Sequence, residues 1–178
     1  MRLSTLLTSS ILSVSLVAMA PLVAHAQDEA PDDAGAVPSA FPTYVNSTPE
    51  AYAAMQALPM DQPLQMLNLI RFNDEAAYAE GSEFATKGWS GEQAYAEYSR
   101  LSTPFATGVG GKPIYIGVPQ LMLIGPQHET WDAAFIIEYP NFAAFLSFVN
   151  NPEYQKHAFH RSAAVAHSRL IRLALPPE

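Results

Sequence analysis

The segment Trp131–Tyr139, WDAAFIIEY, is apolar on both of its alternating faces. Trp131, Phe135 and Ile137 fall on one side, and Ala134 and Ile136 on the other. Its aromatic and β-branched residues suit a strand, and a strand of this kind must be covered on both faces. Pro140 and Asn141 end it. Asn141 is placed to cap a helix whose apolar positions, Phe142, Phe145, Leu146 and Val149, follow the 3.6-residue period. Asn150-Asn151-Pro152 stops that helix and starts another, with Asn as cap and Pro at the first helical position. The spacing predicts one continuous helix carrying Tyr154, His157, His160 and Arg161. An Ala-rich turn and a short strand, Arg169–Ala174, then follow.

The chain before this stretch reads in the same terms. Ser47 or Thr48 caps a short helix with Pro49 and Glu50 in its first turn and Ala51 to Leu58 as its body. Leu64–Phe72 (LQMLNLIRF) is again apolar on both faces, interrupted by Asn68 and Arg71. Residues 73–88 read as loop, with Gly81 in it and a helical turn allowed around Ala76 to Tyr78. Ser90 with Gln93 forms a capping box for a helix with the buried stripe Ala94, Tyr95, Tyr98, Leu101 and Phe105, ended by the glycines at 108, 110 and 111. Lys112–Gly125 is predicted as a long strand broken at Gly117 and Pro119. The order is one short helix, then β-α-β-β-α-(α)-β, with the core β-α-β-β-α-β. This is the α+β, ferredoxin-like pattern of an antiparallel sheet with helices on one face. Helices cover one face only, so the other apolar face needs a partner, and the economical partner is a second copy related by a two-fold axis.

The first 26 residues have the form of a cleaved leader: Arg2, an apolar stretch from Leu3 to Val23, and the small-residue site Ala24-His25-Ala26 before Gln27. Residues 1–26 are therefore expected to be a signal peptide, 27–46 an acidic, Pro- and Ala-rich flexible linker, and 47–178 the domain. The expected location is periplasmic or secreted, with no membrane attachment once the leader is removed. Losing Arg2 with the leader takes the formal net charge from −8 to −9, which disfavours nucleic acid and anionic membrane as partners. With no cysteine, the chain has no disulfide framework, no thiolate chemistry and no lipid attachment through sulfur.

NLIRF, GEQAYAEYSR, the Gly-Gly pair before the second strand, and above all WDAAFIIEYPNFAAFLSFVNNPEYQKHAFHR carry a resemblance to the family known as domain of unknown function 1330. That family belongs to the dimeric α/β-barrel superfamily. The resemblance runs from about Ser47 to Leu173. It implies a homodimeric barrel with a pocket between sheet and helices. It implies no settled reaction, because the superfamily holds cofactor-free monooxygenases, haem-degrading enzymes, isomerases and stress proteins.

Tyr154, His157, His160 and Arg161 at i, i+3, i+6 and i+7 would share a broad helical face. On that basis His160 is the candidate catalytic acid or base, and Asn68, Tyr98, Trp131 and Arg161 are candidate substrate-binding residues around one apolar pocket. The structural alternative pairs Arg161 with Glu138 or Asp132, pairs Glu138 with Arg169 or Arg172, and pairs Arg71 with an acid. His157-x-x-His160 has the spacing of two metal ligands but lacks an accompanying carboxylate, so no metal and no cofactor are expected. Gly108-Val109-Gly110-Gly111-Lys112 is not a phosphate loop, since Pro113 replaces the Ser/Thr and a strand follows. Gly88-Trp89-Ser90-Gly91 lacks the G-x-S-x-G order of a nucleophile elbow.

Two function classes follow. One is an exported small-molecule-binding dimeric barrel, extending to a cofactor-free acid–base or oxygenase-type enzyme. The other is a non-catalytic dimeric periplasmic binding or stress-related module. Intact-mass analysis of the exported protein is expected to show a chain beginning at Gln27; a mass retaining residues 1–26 would refute the leader.

Overall fold

In the computed structural model the described residues are 44–176, so the leader and most of the linker lie outside them. The elements are α1 (Pro49–Gln56), β1 (Leu64–Phe72), α2 (Gly91–Gly108), β2 (Lys112–Gly117), β3 (Ala133–Tyr139), α3 (Phe142–Val149), α4 (Pro152–Gln155), α5 (Ala158–Ala164) and β4 (Val165–Ala174). They form a four-stranded sheet in the order β2-β3-β1-β4, with β1 antiparallel to both neighbours. This is the ferredoxin-like topology, with α1 as the extra helix.

Local chemistry starts the helices where the sequence predicts. Ser90 Oγ accepts from Gln93 N at 3.2 Å, while Gln93 Oε1 accepts from Ser90 N at 2.9 Å. This reciprocal pair satisfies two donors that the first turn of α2 leaves unpaired. Asn141 Oδ1 accepts from Ala144 N at 2.8 Å to open α3, and Asn151 Oδ1 accepts from Glu153 N at 2.9 Å to open α4.

Alternate residues of β1 face the helices. Leu64 and Met66 join Ala106, Tyr139, Phe142, Phe145, Phe148 and Tyr154 in one core cluster. Ile70 joins Ala94, Ala164 and Val165 in a second. Asn68 lies between them on the same side of the strand. On the opposite face the register sets Leu67 beside Ile136 and Ile171, and Leu69 beside Ala134. None of these five is buried, and Ile171 is 43% exposed.

Three elements depart from the sequence reading. The predicted strand Lys112–Gly125 stops at Gly117, because β3 begins only at Ala133 and the residues beyond Gly117 have no strand to pair with among the described residues. Pro119 also lacks the N–H that a ladder needs. The freed segment carries Leu121, Leu123 and Ile124 at 75, 83 and 90% exposure. The single helix predicted after Pro152 is two, α4 and α5, separated at Lys156 and His157. Tyr154 and His160 consequently do not share one continuous helical face. The last strand starts at Val165, directly from the end of α5, rather than at Arg169.

Phe142 is fully buried at the centre of the larger cluster. Phe142→Ala is expected to cost about 3–5 kcal/mol, read as a lower denaturant midpoint with an unchanged slope.

Candidate functional site

The segment between β1 and α2 has no periodic pattern, and the main chain holds it down. Asn73 N donates to Ala164 O at 2.8 Å, Ala77 N to Ala163 O at 2.8 Å, and Ala76 N to Trp89 O at 2.8 Å. Asn73 Nδ2 adds a bond to Ala163 O at 2.9 Å. The segment therefore lies along the end of α5 and brings Tyr78, Phe84 and Trp89 to His160.

His160 is 2% exposed. Phe159 lies at 4.1 Å between ring centroids, Phe84 at 4.6 Å edge-on, Tyr78 at 5.7 Å edge-on and Trp89 at 6.4 Å. Within this aromatic surround His160 Nδ1 and Tyr78 Oη share one hydrogen bond of 2.7 Å. Burial holds the His160 pKa below the ordinary histidine value. The Glu97 carboxylate acts in the opposite direction, and His157, Lys87 and Arg100 reinforce the lowering. Burial, with Glu97, raises the Tyr78 hydroxyl. Both partners are thus uncharged at neutral pH. Lys87 Nζ sits over the outer rings, 4.2 Å from Phe84 and 4.7 Å from Trp89.

Tyr78 also forms part of the wall of a cleft of about 380 Å³, with Ala77, Ala79, Ser82, Phe159, Ser162 and Ala163. Among the described residues no charged side chain lines it. A second cleft, about 430 Å³, lies where β1 ends and is lined by residues including Phe72, Asp74, Glu92, Val118, Trp131 and Asp132.

The five residues nominated from sequence do not converge on one pocket. Tyr98 Oη and Tyr154 Oη are 2.9 Å apart within the helix–sheet core. Asn68 Nδ2 donates to Met66 O at 3.0 Å, so its amide serves its own strand. Among the described residues Arg161 meets no carboxylate. Its Nη1 donates to Val45 O at 2.8 Å and its Nη2 to Ser168 Oγ at 3.3 Å. Trp131 stacks on His167 with centroids 5.3 Å apart and planes at 11°. His167 and Ser168 are consecutive strand residues and point to opposite faces, so Trp131 and Arg161 lie on opposite sides of the sheet. Of the five, only Trp131 lines either cleft.

The ion pairs expected from sequence also fall elsewhere. Glu138 lies at the end of β3 opposite Gln65 and accepts from Gln65 Nε2 at 3.0 Å. Arg161, by contrast, meets the start of β4, which pairs with the other end of β1. Arg169 pairs with Glu129 at 2.6 Å, Arg172 donates to Pro59 O, and Arg71 donates to Thr130 Oγ1 at 2.8 Å. Among the described residues no group of three His, Cys, Asp or Glu side chains is placed to hold a metal ion.

Tyr78 is the residue that sequence reasoning missed. Its sequence signal was three aromatic rings, at 78, 84 and 89, in a stretch without periodicity, and the helical turn allowed around Ala76 to Tyr78 does not form. The lowered His160 pKa has a testable consequence. Between the unfolded value, about 6.5, and the lower folded value, the unfolded chain binds more protons. Stability is therefore complete above about pH 6.5 and falls as the pH drops through that window. His167 is shifted in the same direction. His160→Gln is expected to lower stability at pH 7 and to flatten its acid-side loss, measured as denaturant midpoints from pH 7 to 5; an unchanged slope would refute this.

The family model described as domain of unknown function (DUF1330) matches residues 85–172. The crystal structure of a protein of unknown function from Rhodopseudomonas palustris, RPA0582, is 42% identical, with a TM-score of 0.68, covering 76% of this chain and 100% of that one. The methylated RPA0582 protein is 42% identical with a TM-score of 0.70, covering 76% and 96%. A fainter likeness, 14% identity and a TM-score of 0.38 over 65% and 98%, is to a dabb family protein with a ferredoxin-like fold from Mesorhizobium loti. No curated protein matches the chain. A ferredoxin-like sheet, a family model across its second half and a relative matched over its whole length agree, and the chain belongs to the DUF1330 family.

Proposed function

We propose that the protein is an exported homodimer whose domain binds an uncharged small molecule in the cleft beside Tyr78 and His160. The observation that carries this reading is the cleft itself: about 380 Å³, walled by Tyr78 and Phe159, with hydroxyls from Ser82 and Ser162 and no charge in its lining. Small-molecule sites fall in the range of roughly 300–1,000 Å³ and combine apolar walls with a few placed polar groups. The larger cleft suits a ligand less well. Its carboxylates, from Asp74, Glu92 and Asp132, are exposed to solvent, and Asp132 Oδ2 already accepts from Phe72 N at 2.7 Å.

The dimer rests on the apolar face formed by Leu67, Leu69, Ala134, Ile136 and Ile171, none of which is buried within one chain. Export rests on the leader-like first 26 residues.

One experiment reads both the dimer and the ligand. Native mass spectrometry of the mature protein, purified from its own host, is expected to show twice the chain mass with one small adduct per protomer. Ser162→Trp, which fills the cleft from its exposed rim, is expected to keep the dimer and lose the adduct. A monomer would overturn the dimer, and an adduct retained in Ser162→Trp would overturn the cleft.

A further inference from the structure

We propose that Tyr78 and His160 form a proton relay acting on a weakly acidic hydroxyl, a phenol or an enol, of an uncharged ligand. This rests on the reading of the Tyr78 cleft as the binding site. Tyr78 belongs at once to the cleft wall and to the 2.7 Å bond with His160 Nδ1. His160 lines neither cleft, so it reaches a ligand only through Tyr78. The aromatic and uncharged lining favours a neutral ligand with an apolar body.

The step balances within these groups. The ligand O–H proton passes to Tyr78 Oη as the proton of Tyr78 passes to His160 Nδ1. The ligand becomes an oxyanion, Tyr78 remains a neutral phenol, and His160 becomes an imidazolium. Return of the proton reverses the sequence, so no oxidant or reductant is needed. Glu97 is the group whose charge favours the imidazolium; Lys87, Arg100 and His157 act against it. The Glu97 carboxylate is itself held by Arg100 through two bonds of 2.7 Å. Tyr78 is therefore the catalytic residue, and His160 the proton acceptor behind it.

The probe is 4-nitrophenol, whose neutral and anionic forms absorb at different wavelengths. It is titrated across pH in the presence of the mature dimer. Wild type is expected to lower the apparent pKa of the bound probe by about one unit relative to Tyr78→Phe, a tenfold difference in ionisation constant. His160→Gln is expected to match Tyr78→Phe, and binding of the neutral probe is expected to change little in both. A Tyr78 that only donated a hydrogen bond, with no transfer to His160, predicts a shift in Tyr78→Phe but none in His160→Gln, and that outcome would overturn the relay. Should Tyr78→Phe fail to fold, His160→Gln supplies the same comparison. If wild type and the variants ionise the bound probe equally, the relay is overturned while the binding site stands. If wild type binds no probe, or Ser162→Trp binds it unchanged, the cleft reading fails and the relay with it.

Discussion

Three stretches of main chain meet at Gly91, and the rest of the domain depends on how closely they approach. A Cβ built on Gly91 would lie 2.4 Å from Asn73 O and 2.5 Å from Ala164 O, both main-chain atoms that cannot swing aside. The end of β1, the start of α2 and the end of α5 are pinned there. Gly91 N donates to Asn73 O at 2.9 Å and Asn73 N to Ala164 O at 2.8 Å. Each bond satisfies a group that a helix or strand terminus would otherwise leave unpaired. The junction closes the two helices over one face of the sheet. It also fixes both ends of the aromatic segment, so Tyr78, Phe84 and Trp89 return to His160. The loop is irregular in conformation yet determined in position.

Arg161 does structural work of a kind that an ion-pair search does not reveal. It ties Val45 O and Ser168 Oγ together, while Ser168 N and Oγ both donate to Tyr44 O at 2.8 and 2.9 Å. The last residues of the segment read as linker are thereby held along the edge of β4, where free strand groups would otherwise face solvent. The acceptors are neutral and Arg161 is half-buried, so the guanidinium keeps part of its hydration while its stem packs. A separate aromatic and charged group gathers at the outer face of the same strand. Arg169 lies 5.1 Å from the Tyr44 ring and 5.3 Å from the Trp131 ring, paired with Glu129. Trp131 belongs to this group and not to the helix-side interior.

The fold was legible because it is written in local chemistry. Ser90 with Gln93, Asn141, and Asn151 before Pro152 each satisfy their own helix within a few residues, so their roles can be read from spacing. The β-α-β-β-α-β order follows from such signals. The site was less legible. Proximity of Tyr78 to His160 spans 82 positions in sequence and depends on a loop that no pattern describes. Grouping Asn68, Tyr98, Trp131, His160 and Arg161 assumed one helix where there are two, and one side of the sheet where Trp131 takes the other.

Sequence by itself determined the secondary-structure order, the caps, the two-sided apolar character of β1 and β3, and the acidic, cysteine-free composition. Tertiary structure decided where strand-like sequence fails to become strand. Val118 to Gly125 has the composition of a strand but meets no partner strand among the described residues, since β3 begins at Ala133. It also decided which polar residues meet. Arg161 found main-chain and hydroxyl acceptors rather than Glu138, because strand register sets the two at opposite ends of the sheet. The reason is the same in both cases: a cap or a periodic face needs neighbours within a turn or two of chain, whereas strand pairing and side-chain partnership need segments that only the folded topology brings together.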